Sequence, residues 1–312
     1  MILLAGIRSE APLAMVAEAL GEAGADFRVV HQRDVSSYAI RWQAGAAGVT
    51  GTLRLGDEAI DLERVRGLYT RMMDDRILPE LDGLAPDDPA RRHARSFHDA
   101  FFNWSEIAPT RVVNRAGPQG SNGSKPYQAQ LIAAHGFLVP PTLITNDPAA
   151  VLDFRAVHGR IIYKSISSVR SIVKALDEED VERLDRIRWC PVQFQAAIEG
   201  VNIRVHVIGQ EAFATEIAST HVDYRYATRD GGETSLSETI LPDAVKARCI
   251  ALAHGLDLPF AGIDLMRTPG GDYHCFEVNP QPGFSYYEAH TGQPIAKAVA
   301  AYLMAGEPGR RG

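Results

Sequence analysis

The stretch from Ala261 to Glu288, AGIDLMRTPGGDYHCFEVNPQPGFSYYE, constrains the fold more tightly than any other part of the chain. Two runs in it, AGIDLMRT and DYHCFEVNP, read as strands joined by a turn at Pro269-Gly270-Gly271. Side chains two apart on a strand share a face, so Glu277 and Asn279 project together, and a hairpin brings Asp264 beside them. Ile263, Leu265, Phe276 and Val278 then make the opposite, core-facing row. Oxygen-bearing side chains gathered on one sheet face suit Mg²⁺, which demands octahedral oxygen ligation. The plain alternative is a solvated sheet face, since acid-bearing hairpins of that kind are common. Few of the Lys and Glu residues usual on an exposed face accompany this trio, and after Asn279 the sequence P-Q-P-G-F makes a rigid turn.

With 312 residues, the chain is about two domains long at roughly 100 to 200 residues each. Its 46% hydrophobic and 23% charged residues are ordinary for a globular protein with a sizeable core. A net charge of −7 carries no broad basic footprint, so no nucleic-acid partner is expected. Cys190, Cys249 and Cys275 lack any C-x-x-C spacing and read as buried small hydrophobes in a reducing compartment, not as disulfide or zinc residues. No basic segment precedes the short apolar run at the start, and no run of about 18 apolar residues occurs. Neither a signal peptide nor a membrane span is expected, and cytoplasm is the default location.

The chain opens strand, helix, strand (Ile2 to Ala5, Ala11 to Ala23, Phe27 to His31), the start of a doubly wound α/β unit. Its turn Gly6-Ile7-Arg8-Ser9 is not a dinucleotide fingerprint. A hairpin region, a strand at Gly67 to Arg71, a helix at Asp87 to Trp104 and a closing strand at Arg111 to Asn114 follow. Ala116 to Ser124, rich in Gly, Ser and Asn, reads as a linker, with Ser124 the N-cap of a helix from Pro126 to His135. The expected division is an N-terminal α/β domain (1–118), a small α+β piece (119–190) and a larger antiparallel piece (191–306). The small piece carries a strand ending at Lys164, a serine-containing loop (Ser165 to Ser171) and an acidic helix from Glu178 to Arg186. Three strand-like runs, PVQFQAAI, NIRVHVIG and EAFATEIAS, lead to a helix at Pro242 to Leu256, then the hairpin, then a last helix at Pro294 to Met304.

In this order the pieces resemble the ATP-grasp superfamily, and within it the RimK-like carboxylate–amine ligases and graspetide synthetases. The resemblance runs from about Val112 to Leu303 and rests on Lys125 at a helix start, Lys164 at a strand end, the IRVHVIG strand and the GID…FEVNP hairpin. It implies an ATP-grasp fold behind an α/β domain, with ATP and Mg²⁺ as cofactors and Mn²⁺ as an alternative ion. Asp264, Glu277 and Asn279 would then hold the metal, and Lys125 and Lys164 would touch the phosphates. Val192 to Ile198 would be the strand whose backbone reads the adenine edge. An acid usual there is replaced by Ala196, which leaves Gln195, Ala197 and the backbone for that task. Asn202 and Arg204 share a strand face, and Arg204 would steady the transferring phosphoryl group or an acyl phosphate. Arg225 matches another arginine near nucleotide and acceptor. Relatives place several glycines where this chain has SISSVRS, so a less flexible phosphate cover is implied, with Arg170 adding charge. His206 lies on the face of Arg204, although a lone strand histidine is more often simply packed.

The reaction so implied has two steps: a substrate carboxylate attacks the γ-phosphate of ATP, and an amine or hydroxyl then displaces phosphate from the acyl phosphate. The partners implied are ATP, a carboxylate substrate and an amine or hydroxyl acceptor, with a ribosomal precursor peptide favoured over a small molecule. Homo-oligomerisation stays open. Phe284, Tyr286 and Tyr287 either line an acceptor site or pack in the core. Two other readings remain: a small-molecule kinase on the same fold, and a non-catalytic nucleotide- or peptide-binding module.

Overall fold

The computed structural model describes residues 1–46, 48–164, 173–219 and 234–305. Its first sheet is built from β1 (Ile2–Gly6), β2 (Phe27–His31), β6 (Gly67–Arg71) and β7 (Arg111–Val113) in the order β2-β1-β6-β7, all parallel. Every residue of β1 is buried, as expected of a central parallel strand covered on both faces. One face receives α1 (Ala11–Glu22); the other receives α2 (Pro89–Ile107), whose Ala94, Phe97, Phe101 and Trp104 fall at helical spacing into the core. The carboxylate of Asp88 accepts from Ala90 N at 2.8 Å, which caps α2 just before Pro89. A separate antiparallel sheet, β3 (Tyr38–Gly45), β4 (Gly48–Leu55) and β5 (Glu58–Asp61), packs Leu53 and Ile60 onto the same core as α2.

The segment read as a linker is folded instead: α3 (Ala116–Gln119) runs into a 3-10 turn at Gly120–Gly123. Glu106 of α2 accepts from the N–H groups of Ala116 and Gly117, and the Gln119 side chain donates to the Asn114 carbonyl at 3.0 Å, so side-chain bonds at both ends hold what composition alone reads as loop. Next, α4 (Lys125–Ala134) starts one residue earlier than expected, and the Ser124 hydroxyl makes no capping bond.

The second sheet is antiparallel, in the order β10-β9-β11-β8, with β8 (Thr142–Thr145), β9 (Ile161–Lys164), β10 (Lys174–Ala175) and β11 (Val192–Ala196). It is backed by α5 (Pro148–His158), capped as expected by Asp147, and by α6 (Glu178–Glu182), a shorter helix than the acidic run predicts because the chain tightens into 3-10 turns at Leu184–Trp189.

The third sheet carries the hairpin. Its order is β14-β13-β12-β15-β16, antiparallel throughout, from β12 (Val201–Ile208), β13 (Glu211–Ser219), β14 (Thr234–Thr239), β15 (Phe260–Arg267) and β16 (Tyr273–Asn279). On one face, Ile203, Val205, Ile263, Leu265, Cys275 and Val278 pack against α7 (Asp243–Gly255) and against Ile132 of α4. On the other, Ile208 and Phe260 meet α1, α8 (Ser285–Thr291) and α9 (Ile295–Met304), which covers one end of that face. Of the cysteines, Cys249 and Cys275 are buried as expected but Cys190 is exposed, because it follows the 3-10 turn on the surface.

Candidate active site

The register of the third sheet sets Arg204 of β12 opposite Asp264 of β15, and Asp264 opposite Glu277 of β16. One row across three strands therefore reads guanidinium, carboxylate, carboxylate. A bulge keeps that row intact: Leu265 pairs with Cys275, so Phe276 is the extra residue on β16. The strict alternation expected from sequence fails here, and Cys275, not Phe276, joins Val278 in the core. Like charges directly opposite each other on a sheet repel. Here cations surround them. Arg204 Nη1 donates to Asp264 Oδ1 at 2.7 Å, and Lys125 Nζ lies 2.8 Å from Glu277 Oε2. Burial pushes the Glu277 carboxyl upward, but Lys125, then Lys164 and Arg204, outweigh it and hold the group below its ordinary range.

Gly262, the glycine of GID, is fixed by close approach. A Cβ there would sit 2.1 Å from Arg204 Nη2 and 2.7 Å from Pro282 Cβ, so any side chain would evict the guanidinium. On its other side the Arg204 guanidinium lies 5.9 Å from the Tyr287 ring centroid. Gly262 pairs in register with Asn279, the third oxygen-bearing residue, whose Oδ1 accepts from Gln281 N at 3.0 Å. No group of three or more His, Cys, Asp or Glu gathers among the described residues, and the set here is two carboxylates and an amide. Hard oxygen donors on one face, with cations already drawn to them, fit Mg²⁺ or Mn²⁺.

Lys125 stands at the first position of α4, where it also donates to Asn122 Oδ1 at 2.8 Å. Lys164 ends β9, opposite Gln193 of β11, and its charge reaches Glu277 from the second sheet. Asn202 sits on the Arg204 face, opposite Met266. Gln195 spends its amide on Thr142 Oγ1 at 3.0 Å, and the N–H groups of Ala196 and Ala197 donate to the carbonyls of Pro141 and Arg160, each at 3.0 Å. The Ala196 and Ala197 N–H groups are thus committed within the protein and are not available to an adenine edge. Arg225 and the loop Ser165 to Ser171, including Arg170, lie outside the described residues.

His206 is fully buried with its ring edge-on to Tyr287 at 4.9 Å, and neither ring nitrogen has a hydrogen-bond partner among the described residues. Burial, reinforced by Arg204, keeps it neutral and well below its ordinary pKa. Its ring is a packed core side chain. Phe284 and Tyr287 are likewise core residues, which leaves Tyr286 as the exposed aromatic of that segment.

Residues unnoticed in the sequence brace the hairpin. Asn114, buried at the end of β7, donates to the carbonyls of Phe260 (2.6 Å) and Pro280 (2.5 Å) and accepts from Phe260 N (3.1 Å). Gln281 reaches the Thr70 carbonyl, and Arg71, itself paired with Glu10, reaches that of Pro282, so the P-Q-P turn is held by β6 of the first sheet. Gln128 binds the backbone of Val278. The polar residue ending the apolar run R-V-V-N, and the K-x-x-Q spacing that puts Lys125 and Gln128 on one helix face, were the available signals.

Residues 125–303 match the description RimK-like ATP-grasp domain. A probable alpha-L-glutamate ligase of Photobacterium profundum is 34% identical over 209 residues, 64% of this chain and 68% of that protein. One of Pasteurella multocida is 27% identical over 221 residues, 70% of this chain and 65% of the relative, and one of Xylella fastidiosa is matched over 60% of its length. Among solved structures, the ATP-grasp ligase PsnB, complexed with a phosphomimetic variant of its minimal precursor, Mg and ADP, superposes with a TM-score of 0.78 at 25% identity over 97% of both chains. The macrocyclase MdnC from Microcystis aeruginosa, bound with precursor peptide MdnA, has a TM-score of 0.80 at 22% identity over 98% of this chain and 99% of its own, a likeness of fold. The fold is ATP-grasp, and the chain belongs to the RimK-like ATP-grasp family.

Proposed function

We propose that this protein is an ATP- and Mg²⁺-dependent, ADP-forming ligase that joins a carboxylate to an amine or hydroxyl through an acyl phosphate. The observation that carries the reading is the row Arg204–Asp264–Glu277 with Lys125 on its outer carboxylate. Asp264, Glu277 and Asn279 would hold Mg²⁺, which when bound neutralises charge on the phosphate oxygens as the phosphoryl group moves. Lys164, facing the row from the second sheet, contributes positive charge for the phosphates as a point charge, and Lys125 does so from the start of α4. Arg204, fixed between Asp264, Tyr287 and the space left by Gly262, offers a preorganised guanidinium to the acyl phosphate. Asn202, Gln195, Ala196, Ala197 and Arg225 complete the proposed nucleotide and acceptor contacts. Because Ala196 and Ala197 have spent their N–H groups, what they offer adenine is carbonyl and surface. The protein's contribution is positioning and electrostatics, and His206, fully buried in the core, is given no role in the reaction.

For substrate we propose a peptide carboxylate. This follows from similarity to PsnB, whose structure holds a precursor peptide and which aligns over 97% of both chains. The proposed location is the cytoplasm; no described helix is long and apolar enough to cross a membrane. The experiment combines ATP, Mg²⁺ and a panel of Asp- and Glu-containing peptides, with and without a primary amine, and follows ADP, phosphate and hydroxamate trapped by hydroxylamine. Ligation predicts all three products from an active peptide. ADP formed without phosphate or hydroxamate indicates phosphoryl transfer to a hydroxyl instead, and no Mg²⁺-dependent nucleotide binding removes the enzymatic reading altogether.

A further inference from the structure

The strand that bears Glu277 and Asn279 is an edge strand, since β16 ends the order β14-β13-β12-β15-β16. An edge leaves outward-facing backbone groups that no neighbouring strand pairs. At Val278 those groups are buried. One side chain takes both: Gln128 Nε2 donates to the Val278 carbonyl at 2.8 Å, and Gln128 Oε1 accepts from Val278 N at 3.0 Å. Gln128 is itself 1% exposed, on α4, one turn beyond Lys125. Further along the edge the Leu138 carbonyl accepts from Cys275 N at 2.8 Å, so the segment from α4 onward substitutes for a missing sixth strand.

The atoms involved make this bond pair more than edge protection. Val278 N belongs to the peptide plane joining Glu277 to Val278, and Val278 O to the plane joining Val278 to Asn279. Fixing both planes fixes the directions in which the Glu277 and Asn279 side chains leave the strand, while the Val278 side chain is locked in the core behind them. The same helix sends Lys125 to Glu277 Oε2. We propose that Gln128 is a positioning residue for the metal site: its amide aligns Glu277 and Asn279 for Mg²⁺ and, through α4, ties that alignment to the lysine proposed to meet the phosphates. This rests on the metal-dependent nucleotide site proposed above. Partners that orient metal ligands typically govern affinity by about 10- to 100-fold, although they never touch the ion.

The test compares the full chain with Gln128→Met, which keeps length and volume but cannot form either bond. ADP is titrated calorimetrically once in Mg²⁺ and once in EDTA, and thermal melts of the unliganded proteins are recorded beside them. The expected result is that Gln128→Met weakens ADP binding in Mg²⁺ by about 10-fold or more and leaves binding in EDTA unchanged. Equal weakening in both titrations means that Gln128 only supports the fold, and unchanged binding in both means that the ligands need no such alignment; either overturns the proposal. Should Gln128→Met fail to fold, Gln128→Asn, whose amide falls one methylene short, receives the same titrations and the same criteria. If the unsubstituted protein gains nothing from Mg²⁺, the metal site itself fails and the positioning role with it. If it gains and the variant keeps the gain, only the role of Gln128 fails.

Discussion

In the sheet β14-β13-β12-β15-β16 the row Arg204–Asp264–Glu277 is braced from several directions, by Gln128 from α4, by Asn114 at the end of β7 and by a core on each face. The sheet β10-β9-β11-β8, which carries Lys164 at the end of β9, rests on a buried core of Val151, Ile161, Leu176, Leu184 and Phe194. Its outer surface leaves Val157 76% and Trp189 91% exposed. Two of its ion pairs, Arg155–Glu178 and Arg188–Asp185, leave their acids 80% and 81% exposed, while Lys174 and Arg183 share the buried Asp180. The pairs of the larger sheet, Arg204–Asp264 and Lys125–Glu277, are mostly buried. On the proposed function, the larger sheet would hold ligand geometry and the smaller would cover the nucleotide.

That contrast is broken hardest at Glu277. Glu277→Gln keeps the shape and removes one carboxylate from the row, so turnover is expected to fall by at least about 100-fold, with the melting temperature nearly unchanged. Turnover near the unsubstituted rate would make the hairpin structural. Arg204→Lys comes next. A lysine has no planar fork to span Asp264 and an acyl phosphate, and about a 100-fold loss in kcat with little change in KM for ATP is expected from steady-state kinetics. A change in KM alone would make Arg204 a binding residue.

On the smaller sheet the expectation reverses. Lys164→Ala removes a charge from the end of β9 and should raise KM for ATP by about 10-fold, since a charged contact is worth about 1.5–3 kcal/mol. The melting temperature should stay within a degree or so, because the core beneath it is untouched. If Lys164→Ala lowers kcat as strongly as Arg204→Lys, the division between holding and covering is wrong.

The two sheets were also unequally legible. The hairpin was plain in sequence because apolar alternation, a Pro-Gly-Gly turn and clustered oxygen donors point the same way. Its bulge was not, since one inserted residue leaves every local preference intact and shows only in the register against β15. Lys125 and Lys164 were legible as helix and strand ends, yet the clamps of Gln128 and Asn114 join residues 150 and 146 positions apart, beyond any local pattern. The folded state of Ala116–Gly123 is not legible either, because it rests on Glu106 accepting from the Ala116 N–H and on the Gln119 side chain donating to the Asn114 carbonyl. β14 escaped because TSLSET holds a single apolar side chain and owes its strand to β13, and α8 because the P-G-F turn hides the short helix after it.

Acid sharpens the comparison last and least. His206 is buried in the larger sheet with its pKa well below the ordinary 6.5, so the unfolded chain takes up its proton first as pH falls. A depressed pKa gives stability that is fully present above about 6.5 and lost as pH drops toward the folded-state value, at up to about 1.4 kcal/mol per pH unit. Urea unfolding of the protein and of His206→Leu should therefore show a constant difference from pH 8 down to about 6.5, then a difference that shifts in favour of the variant. The charge of Arg204 beside the ring works in the same direction as burial, so the effect belongs to the packed larger sheet and has no counterpart at Lys164. Curves that stay parallel down to pH 5.5 would mean that the larger sheet admits a charged imidazolium, and with it enough water to undo the rigidity assigned to the active-site row.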